Sequence, residues 1–231
     1  MNDLEKLSEW YGKVELDFDR TLIKLRYRTI KDHFKGKTCL EIAPAQGIMT
    51  AFLKDHFEVL HAVDGSRNLL NQIPEYPNLT KFHSMIEDFN PPMQYDIVIM
   101  DHILEHVAEP ATALQKVRTF LKPDSVLFIG VPNARSFHRI AAVKMGFLTS
   151  IYQLNSRDIE LGHYRVYDLD TLTSDAELAG LKVINKTGVF FKPLSNKQIE
   201  DNWTPEMIEG FYQLGKDFSN NAADIYVLCT L

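Results

Sequence analysis

The chain has 231 residues, 45% of them hydrophobic and 24% charged, with a net charge of −6 and a pI near 5.7. That balance is ordinary for a globular protein with a core of its own and excludes a disordered or collagen-like chain. No run of clustered Lys and Arg marks a nucleic-acid footprint, and no secretory leader, membrane-crossing run or lipidation signal is read. The expectation is therefore a cytoplasmic protein whose partner is a small molecule, with no nucleic acid and no membrane.

Residues 1–36 precede the first strand. Ile23, Tyr27, Ile30 and Phe34 recur at helical spacing and predict a helix packed on a sheet, ended by Gly36. Ahead of it, Trp10, Tyr11 and Gly12 break the pattern. Thr38–Ile42 reads as a strand carrying Glu41, followed by the small-residue turn Ala43-Pro44-Ala45-Gln46-Gly47, a helix from Ile48 to His56, and a strand from Val59 to Val63 ending at Asp64. A backbone that touches a ligand cannot carry bulky side chains at the contact. Asp64 follows the turn at the interval where a carboxylate meets a ribose diol. The ligand is therefore expected to contain a ribose, as an adenosine does. A dinucleotide would need G-x-G-x-x-G, which is absent, and this argues against a nicotinamide-dependent oxidoreductase.

Gly65-Ser66 leads into a helix from Arg67 to Ile73, broken by Pro74 and Pro77; Leu79–His83 is a third strand, and the acidic loop Ser84–Phe89 follows. The apolar run Tyr95–Met100 suits a central parallel strand buried on both faces. It ends in Asp101 and His102. His102 and His106 are four apart and could share a helix face. Two histidines can begin a metal site, but Asp101, His138 or His163 could complete it only by folding back, so no metal is expected. Pro110–Leu121 is an amphipathic helix stopped by Pro123, and Val126–Val131 is a fifth strand closed by Pro132-Asn133. Residues 133–165 are long for a connection. They begin at a strand's carboxyl end, carry short helices such as Phe137–Lys144, and can roof a site. Asp168 is a helix N-cap, with Leu169, Leu172, Ala176 and Ala179 facing inward and Gly180 at the stop. Leu181–Asn185 and Ala223–Thr230 read as late strands, with a helix from Trp203 to Lys216 between them. Cys39 and Cys229 both fall in strands and make no disulfide framework.

Glu41 followed by small residues at 43, 45 and 47 resembles the E-x-G-x-G-x-G motif of class I S-adenosylmethionine-dependent methyltransferases, with Ala43 and Ala45 in place of glycines and Pro44 between them. The run YDIVIMDHILEHV, residues 95–107, resembles the same family over about a dozen positions. The resemblance implies an α/β fold, a doubly wound, seven-stranded, mostly parallel, Rossmann-like sheet with an antiparallel C-terminal strand pair. It implies a single methyltransferase domain over 1–231, monomeric or homodimeric. Its parts are an N-terminal helical cap (1–36), a cofactor-binding core (37–132), an active-site insertion (133–165) and the C-terminal part of the sheet (166–231).

S-adenosyl-L-methionine is the implied cofactor. The resemblance assigns its binding to Glu41, Ala43, Ala45, Gly47, Asp64, Gly65, Ser66, Asp101 and His102, with Met85, Ile86 and Glu87 at the adenine. Tyr11 and Arg28 are candidates for its methionine end. Methyl transfer is an in-line displacement, so alignment matters most, and a hydroxyl acceptor gains from a base. His102 is the first candidate and His163 the second. The run Gly162–Asp168 is similar to H-x-R-x-[FY] runs in methyltransferases of sugars and small metabolites, placing Tyr164 and Arg165, with His106 and His138, on the acceptor side. The expected reaction is methyl transfer to a small or carrier-linked metabolite, at an oxygen such as a sugar hydroxyl. An amino sugar or other small amine is the alternative acceptor. The substituted loop leaves open a methyltransferase-like protein that binds without catalysis.

Overall fold

The structure, a computed structural model, describes residues 17–231; Tyr11 lies outside them. The apolar runs become the inner strands of one sheet. All five residues of β1 (Thr38–Ile42) are buried, as are most of β2 (Val59–Asp64) and β4 (Tyr95–Asp101). With β3 (Leu79–His83), β5 (Leu121–Pro132), β6 (Lys182–Val189) and β7 (Asp224–Thr230) they form a seven-stranded sheet of order β3-β2-β1-β4-β5-β7-β6. β1 to β5 pair in parallel, while β7 runs antiparallel to both β5 and β6. This is the doubly wound arrangement with the antiparallel pair that the motifs imply. Among the described residues no helix is long and apolar enough to cross a membrane.

Helices cover both faces. One face packs against α4 (Pro110–Arg118) and α7 (Leu169–Leu178) through Ala113, Leu114, Val117, Leu172 and Ala176. The other packs against α1 (Asp17–Ile30) and α9 (Pro205–Asp217). On α1 the deepest residues are Phe18, Leu22, Leu25 and Ile30; Ile23, Tyr27 and Phe34 from the predicted stripe flank that core. The free cysteines Cys39 and Cys229 are buried in β1 and β7.

Several boundaries differ from the sequence reading. The helix expected over Ile48–His56 is α-helical only over Thr50–Leu53 (α2), because the bonds Phe52 N to Met49 O and His56 N to Leu53 O tighten both ends. α3 spans Arg67–Gln72. Helix α4 stops at Arg118, and β5 begins at Leu121, opposite Tyr95, so Pro123 lies inside the strand beside an irregularity in the pairing. β6 runs on to Val189. α5 spans Phe137–Lys144 as expected. Two further helices, α6 (Ser156–Glu160) and α8 (Asn196–Asn202), open on capping boxes, Asn155 with Asp158 and Ser195 with Gln198.

Helix α9 lies close against the strand end at Phe190. A Cβ on Gly215 would fall 2.6 Å from Phe190 Cα and nearer still to its nitrogen. Backbone on both sides leaves nothing flexible to yield. We expect Gly215→Ala to destabilise the protein by about 1–3 kcal/mol, read as a lowered urea midpoint with an unchanged m-value. Unchanged stability would show that the helix can lift from the sheet freely.

Candidate active site

The topology brings distant acids together. Glu41, Asp64 and Asp101 lie at or beside the carboxyl ends of β1, β2 and β4. Because β7 is antiparallel, its first residue, Asp224, pairs with Pro132 at the carboxyl end of β5. All four line one cavity of about 970 Å³. In open α/β sheets this is the side where ligands bind.

The loop after β1 keeps the path that alternate glycines would take. Ala43 (φ 54°), Ala45 (φ 49°) and Gly47 (φ 76°) are all in the left-handed region. An L-residue there costs roughly 1–2 kcal/mol, so the two alanines hold their conformation against a local preference. Ala43 N donates to Val63 O at 2.8 Å and Gly47 N to Pro44 O at 2.9 Å, which fixes the turn. Ala43 and Ala45 line the cavity. Gly47 does not; a Cβ there would meet Ile73 Cγ2 at 2.8 Å, so this glycine serves packing.

Asp64 is buried on the cavity wall, and its Oδ1 accepts from Ser66 N at 2.7 Å. Ser66, expected at the cofactor, is fully buried off the cavity lining and caps α3, its Oγ accepting from Leu69 N. Gly65, Met85, Ile86 and Glu87 line the same cavity. Glu41 is held from inside by Thr50 Oγ1 at 2.6 Å. Burial, with Asp101 and Asp64 nearby and only partly offset by Thr50, pushes its carboxyl up to about 8.

Arg28 is turned away from the cavity. It forms two bonds to Glu209 on α9, at 2.8 and 3.0 Å, and lies over the Tyr212 ring. Two residues earlier is more than half a turn round the helix, and Arg26 points inward. Its Nε donates to Asp101 Oδ2 and its Nη1 to Asp224 Oδ2, each at 3.0 Å, and Tyr226 OH also donates to Asp101. Burial alone would raise the Asp224 carboxyl, but His102 and Arg26 hold it well below the usual range.

His102 has φ 56° and leaves β4 at a sharp turn, so it shares no helix face with His106, which sits in the 3-10 turn Leu104–His106. Its Nε2 lies 3.5 Å from Asp224 Oδ1 and its Nδ1 3.7 Å from Glu105 Oε1. Burial and Arg26 would lower its pKa, but Asp224 and Asp101 outweigh them and the net shift is upward. His106 is pushed down to about 4 by burial, then by His163 and His102; burial and Lys192 do the same to His138.

The segment 133–165, the roof, contributes lining residues to the cavity. Arg139 on α5 donates to Asp158 Oδ2 at 3.2 Å and to the carbonyls of Ile151 and Gln153. Tyr164 N donates to Glu105 O at 2.9 Å, stitching roof to floor. His138, His163 and Tyr164 line the cavity, whereas Arg165 reaches behind it to the carbonyls of Val107 and Ala108. Arg26, Glu105, Asp158, Lys192 and Asp224 are lining residues that the sequence reading did not single out. Glu105 stood inside the quoted run 95–107, and Asp158 carried a capping-box signal. Arg26 and Asp224 had none.

A buried carboxyl with a raised pKa holds a proton that the unfolded chain has released, so rising pH erodes folded stability up to the folded pKa. We expect Glu41→Gln, which mimics the protonated carboxyl, to gain stability relative to the native chain from about pH 6 to about pH 8, measured as the difference in melting temperature without ligand. A difference that does not change with pH would place Glu41 in its ordinary ionised form.

The cavity, the left-handed loop and Asp64 together fit a nucleoside carrying a ribose diol. A family model described as a methyltransferase domain matches residues 15–186. The chain is 24% identical over 183 residues to the ubiquinone biosynthesis O-methyltransferase of Coxiella burnetii, spanning 76% of each chain. Among solved structures it is similar to a possible histamine N-methyltransferase from Thermotoga maritima, with a TM-score of 0.68, 15% identity and 98% of both chains covered. It is also similar to an S-adenosylmethionine-dependent methyltransferase from Archaeoglobus fulgidus, with a TM-score of 0.65, 20% identity, and 96% of this chain and 100% of that one covered. The match over most of the chain, on a fold with this strand order, shows that the protein belongs to the class I S-adenosylmethionine-dependent methyltransferases and uses S-adenosylmethionine to methylate a small molecule.

Proposed function

We propose that the acceptor atom is an oxygen, the hydroxyl of a small or carrier-linked metabolite such as a sugar. The observation that carries this reading is the His102–Asp224 pair inside the cavity, 3.5 Å apart, with the His102 side chain 26% exposed. An imidazole oriented by a carboxylate can take the hydroxyl proton as the oxygen becomes nucleophilic. His163 suits that task less, because it is wedged between Asp158 and the His106 ring.

The bound donor supplies an electrophilic methyl on a sulfonium sulfur, and the C–S electron pair stays with sulfur on transfer. The protein's own part is to bind and align. Asp64 accepts from the ribose hydroxyls, the loop Ala43–Gly47 lets backbone approach, and Met85 and Ile86 offer apolar surface to the base. Arg26 holds Asp101 and Asp224 in place. The roof limits water around the reacting atoms.

A second reading, an amine acceptor, draws on Glu105, whose buried carboxylate has no hydrogen-bond partner among the described residues and would suit a cationic substrate. Supplying paired alcohol and amine analogues of sugars with isotope-labelled donor, and locating the label by mass spectrometry, separates the two. Label only on nitrogen overturns the oxygen reading.

We expect Asp64→Ala to weaken donor binding at least about tenfold in calorimetry, from the loss of charged hydrogen bonds. Unchanged affinity would take Asp64 out of the site. We expect His102→Ala to lower kcat by roughly 10²–10⁴-fold with donor affinity nearly intact. A collapse of donor affinity instead would make His102 a structural residue or a ligand of the donor.

A further inference from the structure

His163 does fold back. Its ring meets that of His106 edge to face, centroids 4.6 Å apart, and one ligand atom from each of Glu105, His106 and His163 lies within 4.8 Å of the others. Glu105 is 1% exposed, and among the described residues both its carboxylate oxygens lack a hydrogen-bond partner. The nearest cationic group, His102 Nδ1, is 3.7 Å away, beyond hydrogen-bond reach. A carboxylate buried this way is costly unless something positive sits beside it.

The two histidines are already oriented for that role. His163 Nδ1 lies 3.4 Å from Asp158 Oδ1, and Asp158 is braced by Arg139. His106 has a backbone hydrogen bond to Leu161. Each ring is tied through one nitrogen, which leaves the other to coordinate. This is the outer-shell pattern that fixes the tautomer and direction of metal-binding histidines.

We propose that Glu105, His106 and His163 bind a divalent cation of the Zn²⁺, Co²⁺ or Mn²⁺ type. Two imidazoles and one carboxylate leave coordination positions open, and all three residues line the acceptor cavity. The open positions take an acceptor oxygen beside His102, which selects acceptors with a coordinating oxygen at or next to the methylated hydroxyl. Only this role rests on the methyl-transfer reading; the binding itself does not. The third ligand that the sequence could not supply comes from the roof, so the cation also pins the roof to the floor.

The test uses the full chain, without a histidine tag, stripped with chelator and titrated with Co²⁺ or Zn²⁺ alone. The expected result is one equivalent bound with micromolar or tighter affinity, Co²⁺ giving visible bands of mixed nitrogen and oxygen ligation. Glu105→Ala and His163→Ala lose this binding, and Asp158→Asn weakens it by roughly 10–100-fold. Glu105 is in the floor and its variant can fail to fold. His163 is in the roof, and donor affinity measured on the His163→Ala sample reports an intact fold. No saturable binding by the native chain, or native affinity in His163→Ala, overturns the proposal. Cation binding without donor binding would overturn the methyl-transfer reading and leave this one standing.

Discussion

The site depends on one buried guanidinium. Arg26 leaves the first described helix and bonds Asp101 at the end of β4 and Asp224 at the start of β7, each at 3.0 Å. Both carboxylates face the cavity, and Asp224 in turn lies against His102. Without Arg26 two carboxylates on the cavity wall would lose the cation they share. Removing one partner of a buried ion pair costs about 3–5 kcal/mol, most of it the stranded charge. The pairing therefore does more than join helix to sheet. It sets one guanidinium between two carboxylates on the cavity wall. Among the described residues, the buried Glu105 carboxylate in the same cavity has no hydrogen-bond partner.

The loop after β1 shows a conformation outliving the residue type that favours it. Two alanines hold left-handed angles in a turn braced by Val63 and Pro44. The strain is roughly 1–2 kcal/mol at each, small against a folded core but enough to stiffen the turn, since an alanine has fewer alternatives than a glycine. Alanine in place of glycine thus exchanges stability for rigidity in a turn that lines the cavity. It does not dismantle the turn.

Much of this was legible in the sequence, and the rest was not for definable reasons. Strand ends carry a local signature, apolar runs that stop at an acid, so Glu41, Asp64 and Asp101 could be placed from spacing alone. The alternating small residues marked the tight turn, though not its left-handed backbone. Helical periodicity gave the existence of α1 and its buried Ile30, but Ile23, Tyr27 and Phe34 mark its flank, so the stripe did not show that Arg26 turns inward. Asp224 is separated from Arg26 by 198 positions, and no local pattern reports a contact of that range. His163 is the same case, since only the roof's return over the sheet brings it to His106. The capping boxes at Asn155 and Ser195 were readable and mark helices that periodicity was too short to reveal.

The placement of Asp224 has a consequence for how the protein comes into being on the ribosome. β7 inserts between β5 and β6, and so between strands that emerge earlier. Until it is extruded, β5 has an open edge and Arg26 lacks one of its two carboxylates. The nascent chain can build the β1 to β4 side of the cavity well before the side that carries Asp224, which closes only as β7 slides in. Arrested chains that stop short of β7 should accordingly retain nucleoside binding in part while exposing a sticky strand edge, the stage at which a chaperone has most to do.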